Sequence, residues 1–281
     1  MSNCINLIYL LGAGRSGTTL LATLLNNHDN IKTLGEVNQF YEFLEENKNC
    51  SCGKSLRNCT EWNVSANFLK SNISSRRHLI EKEEAHGRIP RLLIGKTINH
   101  QYLTIQEEVY SHIHQQRNCK WYLDSSKYIA RYLLLKKSKK LHIKGIYIVR
   151  DPRGVVYSFQ KKVQTSKKPL SALLYYNAIN FFSELVYMKD NSILKIRYED
   201  LVEKPKETLS KVYTHIFEEQ TAAEDFPEYF ETPHIVGGNR MKTQKKIKIQ
   251  PDKKWESLKY YKRVLYYILA LPFSFINNYK L

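Results

Sequence analysis

The run Gly12-Ala13-Gly14-Arg15-Ser16-Gly17-Thr18-Thr19 has the residue types and spacing to hold an anion. It joins an apolar stretch, Ile5–Leu11, to a helical pattern opening at Thr18. A glycine-rich turn of this kind lets successive backbone N–H groups point at a phosphate, and the positive end of the following helix adds to the attraction. Aligning G-x-x-x-x-G-K-[ST] on Gly12 and Gly17 puts Thr18 where nucleoside-triphosphate loops carry lysine, and the cation moves back to Arg15. The pattern suits a 5′-phosphate group and disfavours an NTPase or kinase. Packing alone also produces glycine-rich strand-to-helix turns, so that reading stays open here.

A second anion site follows from Arg150-Asp151-Pro152-Arg153-Gly154-Val155-Val156-Tyr157-Ser158. Asp151 suits a helix cap and Pro152 the first helical position. Ser158 lies about two turns past the cap, so its hydroxyl returns to the face carrying Arg150. An arginine and a hydroxyl converging in this way favour a second phosphate. Two such sites imply a ligand phosphorylated at two places.

The elements that must position these residues are short apolar runs alternating with helical patterns. Ile5–Leu11, Ile31–Leu34, Leu92–Ile94, Trp121–Leu123, Ile143–Val149 and Ile193–Tyr198 read as strands. Thr18–Asn26, Tyr128–Lys136, Val155–Lys162, Leu170–Lys189 and Lys206–Phe217 read as helices, with apolar residues three and four apart. The alternation predicts an α/β fold with a central parallel sheet flanked by helices, where ligands sit at the carboxyl ends of the strands. A single domain over residues 1–281 is expected, with an insertion at 46–91 and a C-terminal basic loop plus closing helix at 237–281.

The chain has 281 residues, and 44 Lys+Arg against 27 Asp+Glu give a formal charge of +17. That excess favours anionic partners or a solubilising lysine surface, and does not choose between them. The N-terminus reads as a first strand and not a signal peptide, and the apolar run Val264 to Ile276 is broken by Pro272 and short for a membrane span. Five cysteines, with Cys50, Cys52 and Cys59 clustered, do not resemble a secreted disulfide framework, so a reduced, cytoplasmic protein is expected. A zinc site is not expected from the three, because a structural site takes four ligands and the nearest histidine, His78, is 19 residues beyond Cys59. The basic aromatic stretch from Lys259 to Leu269 reads as a helix closing the core or as a peripheral membrane contact.

Arg15-Ser16-Gly17-Thr18-Thr19, with Arg150 and Ser158 eight residues apart, resembles the two cofactor signatures of the sulfotransferases that use 3′-phosphoadenosine 5′-phosphosulfate (PAPS). Leu34-Gly35-Glu36, Cys50-Ser51-Cys52-Gly53 with Cys59 and Trp62, and Asp124-Ser125-Ser126-Lys127 extend the likeness to a bacterial branch of that family, related to carbohydrate and protein-tyrosine sulfotransferases. Arg197-Tyr198-Glu199-Asp200-Leu201 and Gly238-Asn239-Arg240-Met241 before Asp252 and Trp255 follow in the expected order.

The resemblance implies a P-loop-like nucleotide-binding fold in which Arg15, Ser16, Gly17, Thr18 and Thr19 hold the 5′-phosphosulfate. Arg150 and Ser158 would hold the 3′-phosphate, Tyr198 would contact the nucleotide, and Arg240 would close over the 3′-phosphate, although its loop lacks the Arg-Lys-Gly form of the cytosolic branch. Glu36 would be the general base, with His100 the second candidate, while Lys127 and Arg15 would stabilise the leaving phosphate. Bland alternatives are a helix-capping Glu36 and a surface Lys127. No metal is required by this chemistry. The implied acceptor is a hydroxyl on a carbohydrate or glycolipid, or alternatively a protein tyrosine, and nucleic acid is not a partner. An ATP-dependent kinase and a non-catalytic anion-binding module are the rivals from other classes.

Overall fold

The structure, a computed structural model, describes residues 4–95, 98–161, 166–220, 227–238, 244 and 246–281. Five strands, β1 (Ile5–Leu11), β2 (Ile31–Gly35), β3 (Trp121–Asp124), β4 (Leu141–Val149) and β5 (Ile193–Arg197), form one parallel sheet in the order β2-β3-β1-β4-β5. The strand at its centre is the most apolar, and Leu7, Ile8, Tyr9, Leu10 and Leu11 are fully buried. Such unbroken apolar runs mark a sheet covered on both faces. Helices separate the strands in sequence, so the fold class is α/β, as the alternation predicts.

One run departs from the expected strands. Leu92 and Leu93 end a helical turn, Ile89–Leu93, with Pro90 in its first positions, and Ile94 follows it. Three apolar residues carry no decisive period. Here Leu92 and Leu93 are half-buried and Ile94 is exposed, so the run lacks the two buried faces a parallel strand requires.

Residues Met1–Leu10, Ala22–Gly145 and Phe230–Ile247 form one compact unit, and Leu11–Leu21, Ile146–Tyr229 and Lys248–Leu281 form a second. In the first, β1 pairs β3 through Leu7 and Tyr122, and β2 pairs β3 through Ile31 and Trp121. The β2 register shifts between Thr33 and Gly35, which turns the chain into the segment beginning at Glu36. A two-stranded antiparallel ribbon, β6 (Phe230–Glu231) with β7 (Lys246–Ile247), also belongs to this unit. The helix His100–Arg117 is capped by Asn99, whose side chain accepts the Tyr102 N–H, and ends on Asn118 in the left-handed region.

The second unit carries the helix Pro152–Gln160, the long helix Pro169–Lys189 and the C-terminal helices. Asp151 caps the first of these by accepting the Arg153 N–H at 2.8 Å. The buried Arg153 guanidinium stacks over Trp255 at 4.1 Å and donates to the Lys280 carbonyl, which anchors the chain's last residues. No described helix is long and apolar enough to cross a membrane.

Candidate active site

The glycine-rich loop and the second anion site both lie in the second unit. Gly12 has φ +133°, and a Cβ there would stand 2.3 Å from the Ile148 carbonyl oxygen. Gly17, at φ +100°, would drive a Cβ to 2.4 Å from the Tyr198 ring. Both positions need glycine for conformation and for space. Arg15 itself adopts φ +71°, a costly conformation for a residue with a Cβ, held while its carbonyl accepts Arg150 Nη1 at 3.0 Å. Its guanidinium faces the Phe159 ring at 5.6 Å. Ser16 is fully buried, and its hydroxyl finds no hydrogen-bond partner among the described residues. Thr18 and Thr19 open the helix Thr18–Asn26, whose first N–H groups have no partner within the helix. A tight cradle with an orphaned buried hydroxyl and helix-terminal N–H groups fits a phosphate.

Arg150 is 6 % exposed and lies over the Tyr198 ring at 4.2 Å. Gly154 permits this placement, because a Cβ there would approach Arg150 Nε at 3.0 Å and Trp255 at 3.3 Å. Arg150 Nη2 donates to Asp252 Oδ2 at 3.1 Å. Burial alone would raise the Asp252 carboxyl, but the Arg150 charge and hydrogen bond, with Lys161 nearby, hold it below the usual carboxylate range. Ser158 is half-buried on the helix Pro152–Gln160. Tyr198 is buried between Gly17 and Arg150, and its hydroxyl is pushed up by burial against the opposing pull of Arg150. Arg240, with Asn239 and Lys242, lies outside the described residues.

In the first unit the structure brings Glu36 and Lys127 together. Lys127 Nζ donates to Glu36 Oε1 at 2.5 Å and to the Ser125 carbonyl at 3.0 Å. Gln39 Nε2 donates to Glu36 Oε2 at 2.7 Å, so both carboxylate oxygens are engaged. The Glu36 side chain makes no capping bond to the short helical turn Val37–Gln39 that it precedes. Its own N–H donates to the Val236 carbonyl at 2.7 Å, and Gly35, at φ +88°, leaves no room for a Cβ against that same oxygen. A Cβ on Gly237, at φ +66°, would stand 2.7 Å from Glu36 Cβ.

Lys127 adopts φ +68°, and the turn before it is fixed by Asp124. Asp124 Oδ1 accepts the Ser126 N–H at 2.8 Å, while Oδ2 accepts from Tyr110 at 2.6 Å and from Arg131 Nε at 2.9 Å. Arg131 is fully buried and also pairs Glu84 at 2.5 Å. Burial pushes the Glu84 carboxyl up, and the Arg131 charge only partly offsets this. His100 is exposed at the start of the helix His100–Arg117, and Lys96 and Thr97 before it lie outside the described residues.

Three participants were not among the residues expected to form the site. Gln39 orients Glu36 but belongs to no motif, Gly154 lies within the Arg150–Ser158 run but shows its packing against Arg150 only in space, and Asp252 shows its pairing with Arg150 only in space. A fourth is His234, whose Nδ1 stands 3.2 Å from Cys59 Sγ across 175 residues of sequence.

The sequence model of the Sulfotransferase family matches residues 8–221. The sulfotransferase domain from the Synechococcus PCC 7002 olefin synthase superposes with a TM-score of 0.55 at 19% identity, covering 100% of this chain and 97% of that one. The sulfotransferase domain from the curacin biosynthetic pathway superposes with a TM-score of 0.60, also at 19% identity, covering 100% of both chains. No protein of curated function matches the chain significantly.

Proposed function

The chain belongs to the sulfotransferase family, a transferase using a sulfonate donor, and from that premise we propose that its donor is PAPS and its acceptor a carbohydrate or glycolipid hydroxyl. The observation that carries the donor assignment is the second anion site. A buried guanidinium, Arg150, sits in the same compact unit as the glycine loop, and its neighbour Asp252 already presents an anion to it. A second phosphate would give that guanidinium a charge-assisted partner on the ligand, whereas a ligand bearing only a 5′-phosphate would leave it paired within the protein alone.

PAPS, when bound, supplies an activated sulfuryl group whose transfer to the acceptor oxygen breaks the bond between sulfur and the 5′-phosphate oxygen. In this reading Ser16, Gly17, Thr18 and Thr19 hold the 5′ end through backbone N–H groups and the Ser16 hydroxyl. Arg150 and Ser158 hold the 3′-phosphate, and Tyr198 supports Arg150 from below. Arg240 stays a proposed contact on the strength of the resemblance alone. Glu36 takes the proton of the attacking hydroxyl, a contribution typically worth about 10²–10⁴-fold in rate. Lys127 and Arg15 offset the charge left on the 5′-phosphate, and one such contact is typically worth about 3–4 kcal/mol in the transition state. The engagement of both Glu36 oxygens by Lys127 and Gln39 supports the base assignment, since a base acts best when its orientation is fixed. Exposed His100 has no comparable support among the described residues.

The C-terminal helices support a glycolipid among the acceptor classes. Tyr266, Ala270 and Phe273 are buried, whereas Leu265, Ile268, Leu271, Phe275 and Ile276 are exposed and follow Lys262 and Arg263. An apolar face beside basic residues suits an anionic lipid surface. The test is transfer of labelled sulfate from PAPS to glycolipid, oligosaccharide and tyrosyl-peptide acceptors. Labelled glycan or glycolipid is expected; labelling of the peptide alone would overturn the acceptor assignment, and transfer of phosphate from ATP in place of sulfate would overturn the donor.

A further inference from the structure

We propose that Cys50, Cys52, Cys59 and His234 form a structural zinc site. One donor atom from each residue lies within 4.8 Å of all the others. Cys59 Sγ stands 3.6 Å from Cys50 Sγ, 3.7 Å from Cys52 Sγ and 3.2 Å from His234 Nδ1. Tetrahedral zinc, with Zn–S near 2.3 Å and Zn–N near 2.0–2.1 Å, sets S···S at about 3.8 Å and S···N at about 3.5 Å. The observed separations match that polyhedron and are far beyond the roughly 2.05 Å of a disulfide. Four protein donors close the coordination sphere, which is the mark of a structural and not a hydrolytic zinc.

The turn carrying the first two cysteines is tightly held: the Cys50 N–H donates to the Lys54 carbonyl at 2.9 Å, the Gly53 N–H donates to the Cys50 carbonyl at 2.9 Å, and Ser51 Oγ lies 3.6 Å from Cys50 Sγ. Gly53, at φ +84°, supplies the turn that aims the first two. Hydrogen bonds to ligand atoms orient them and spread their charge. Three thiolates around a divalent ion leave one negative charge, and a buried cation is at hand. Arg117 stacks on Trp62 at 4.4 Å within electrostatic reach of Cys50 and Cys59, and its Nη1 is buried with no hydrogen-bond partner among the described residues.

The site would join two distant pieces of chain. Trp62 Nε1 donates to the His234 carbonyl at 3.0 Å, and Ser51 Oγ donates to that of Pro233 at 2.6 Å. The next residues run directly against β2, with the Val236 N–H on the Leu34 carbonyl at 3.0 Å and the Glu36 N–H on the Val236 carbonyl at 2.7 Å. Zinc would thereby fix the backbone that carries Glu36; this consequence alone rests on the reading of Glu36 as the base.

The test is metal analysis of the full chain purified without added metal or chelator, followed by titration with a mercurial that attacks thiolates. About one zinc per chain, released as the mercurial is added, is the expected result. Cys59→Ser and His234→Ala should lose the zinc, His234→Cys should keep it, and Cys119→Ser should be unaffected. Where the first two variants do not fold, cobalt(II) bound to the unaltered chain should give thiolate-to-metal absorption and the spectrum of a tetrahedral ion. Folded protein without zinc that also gives no cobalt–thiolate band, or a disulfide between any two of the three cysteines, would overturn the proposal. Neither result depends on PAPS, so binding of adenosine 3′,5′-bisphosphate by folded protein that takes up neither zinc nor cobalt would dismiss the metal while leaving the sulfotransferase reading intact.

Discussion

Replacing Asp252 by Asn should tighten the binding of adenosine 3′,5′-bisphosphate. Asp252 Oδ2 accepts from Arg150 Nη2 at 3.1 Å, and a 3′-phosphate held by Arg150 must displace or crowd this carboxylate. The Arg150 side chain is 7% exposed and that of Asp252 27%, so the pair is neither a solvated surface contact nor a fully buried one. Hydrogen bonds to charged groups contribute about 1.5–3 kcal/mol, and partial exposure of the carboxylate brings this to about 1–2 kcal/mol. At about 1.4 kcal/mol per tenfold, Asp252→Asn should lower the dissociation constant about 5- to 30-fold. Isothermal calorimetry with the bisphosphate and with adenosine 5′-phosphate measures this, and only the ligand with a 3′-phosphate should respond. The sign with pH follows from the depressed carboxyl. The stability from this pairing is present above the unfolded Asp value, about 3.9, and is lost as pH falls through the lower folded value, so the affinity difference should hold from pH 5 to 8. Unchanged affinity, or equal tightening for both ligands, would refute the placement of the 3′-phosphate at Arg150.

Glu36→Gln should lower the rate of sulfuryl transfer by about 10²–10⁴-fold while bisphosphate affinity stays within about twofold; parallel loss of both would remove Glu36 as base. Gly17→Ala forces a side chain into the left-handed region, at about 1–2 kcal/mol, and against the ring that supports Arg150. Bisphosphate affinity should fall at least about tenfold with the near-ultraviolet circular dichroism of the fold retained, and affinity within about twofold of the original would contradict this. Arg131→Met leaves Asp124 and Glu84 buried without their cation and should destabilise by about 3–5 kcal/mol in urea unfolding. A loss below about 1 kcal/mol would show that the network does not depend on its charge.

The sheet was legible because each of its strands is a compact apolar run, and β1 matches its expected bounds at both ends. Leu92–Ile94 misled because three apolar residues fit a helical turn equally well. The helix His100–Arg117 was not visible, since Gln106 and His112 lie on its buried side and blur the apolar period. Residues of the candidate site were legible where they lie at or just past a strand's carboxyl end, as Glu36 and Arg150 do directly and Arg15 and Lys127 do within a short turn. Partners brought in by the tertiary fold were not. Gln39 reaches Glu36 by a local turn without a motif, Asp252 meets Arg150 from 102 residues away, and His234 meets Cys59 from 175. The fourth donor of the metal cluster is illegible in the sequence because His234 comes from far along the chain, with the segment that pairs Gly35.

Whether the positive charge serves a nucleotide ligand or a general basic surface also turns on particular residues. Among the 44 Lys+Arg, Arg150 is tied to the glycine loop through the Arg15 carbonyl, and Lys127 is tied to Glu36. Calorimetry of the unaltered chain with adenosine 3′,5′-bisphosphate in magnesium-free buffer tests the central claim most directly. The expected result is binding of one ligand per chain, about tenfold or more tighter than adenosine 5′-phosphate, because the 3′-phosphate adds a charge-assisted contact to Arg150. Equal affinity for the two nucleotides, or binding of ATP that requires magnesium and exceeds that of the bisphosphate, would contradict it.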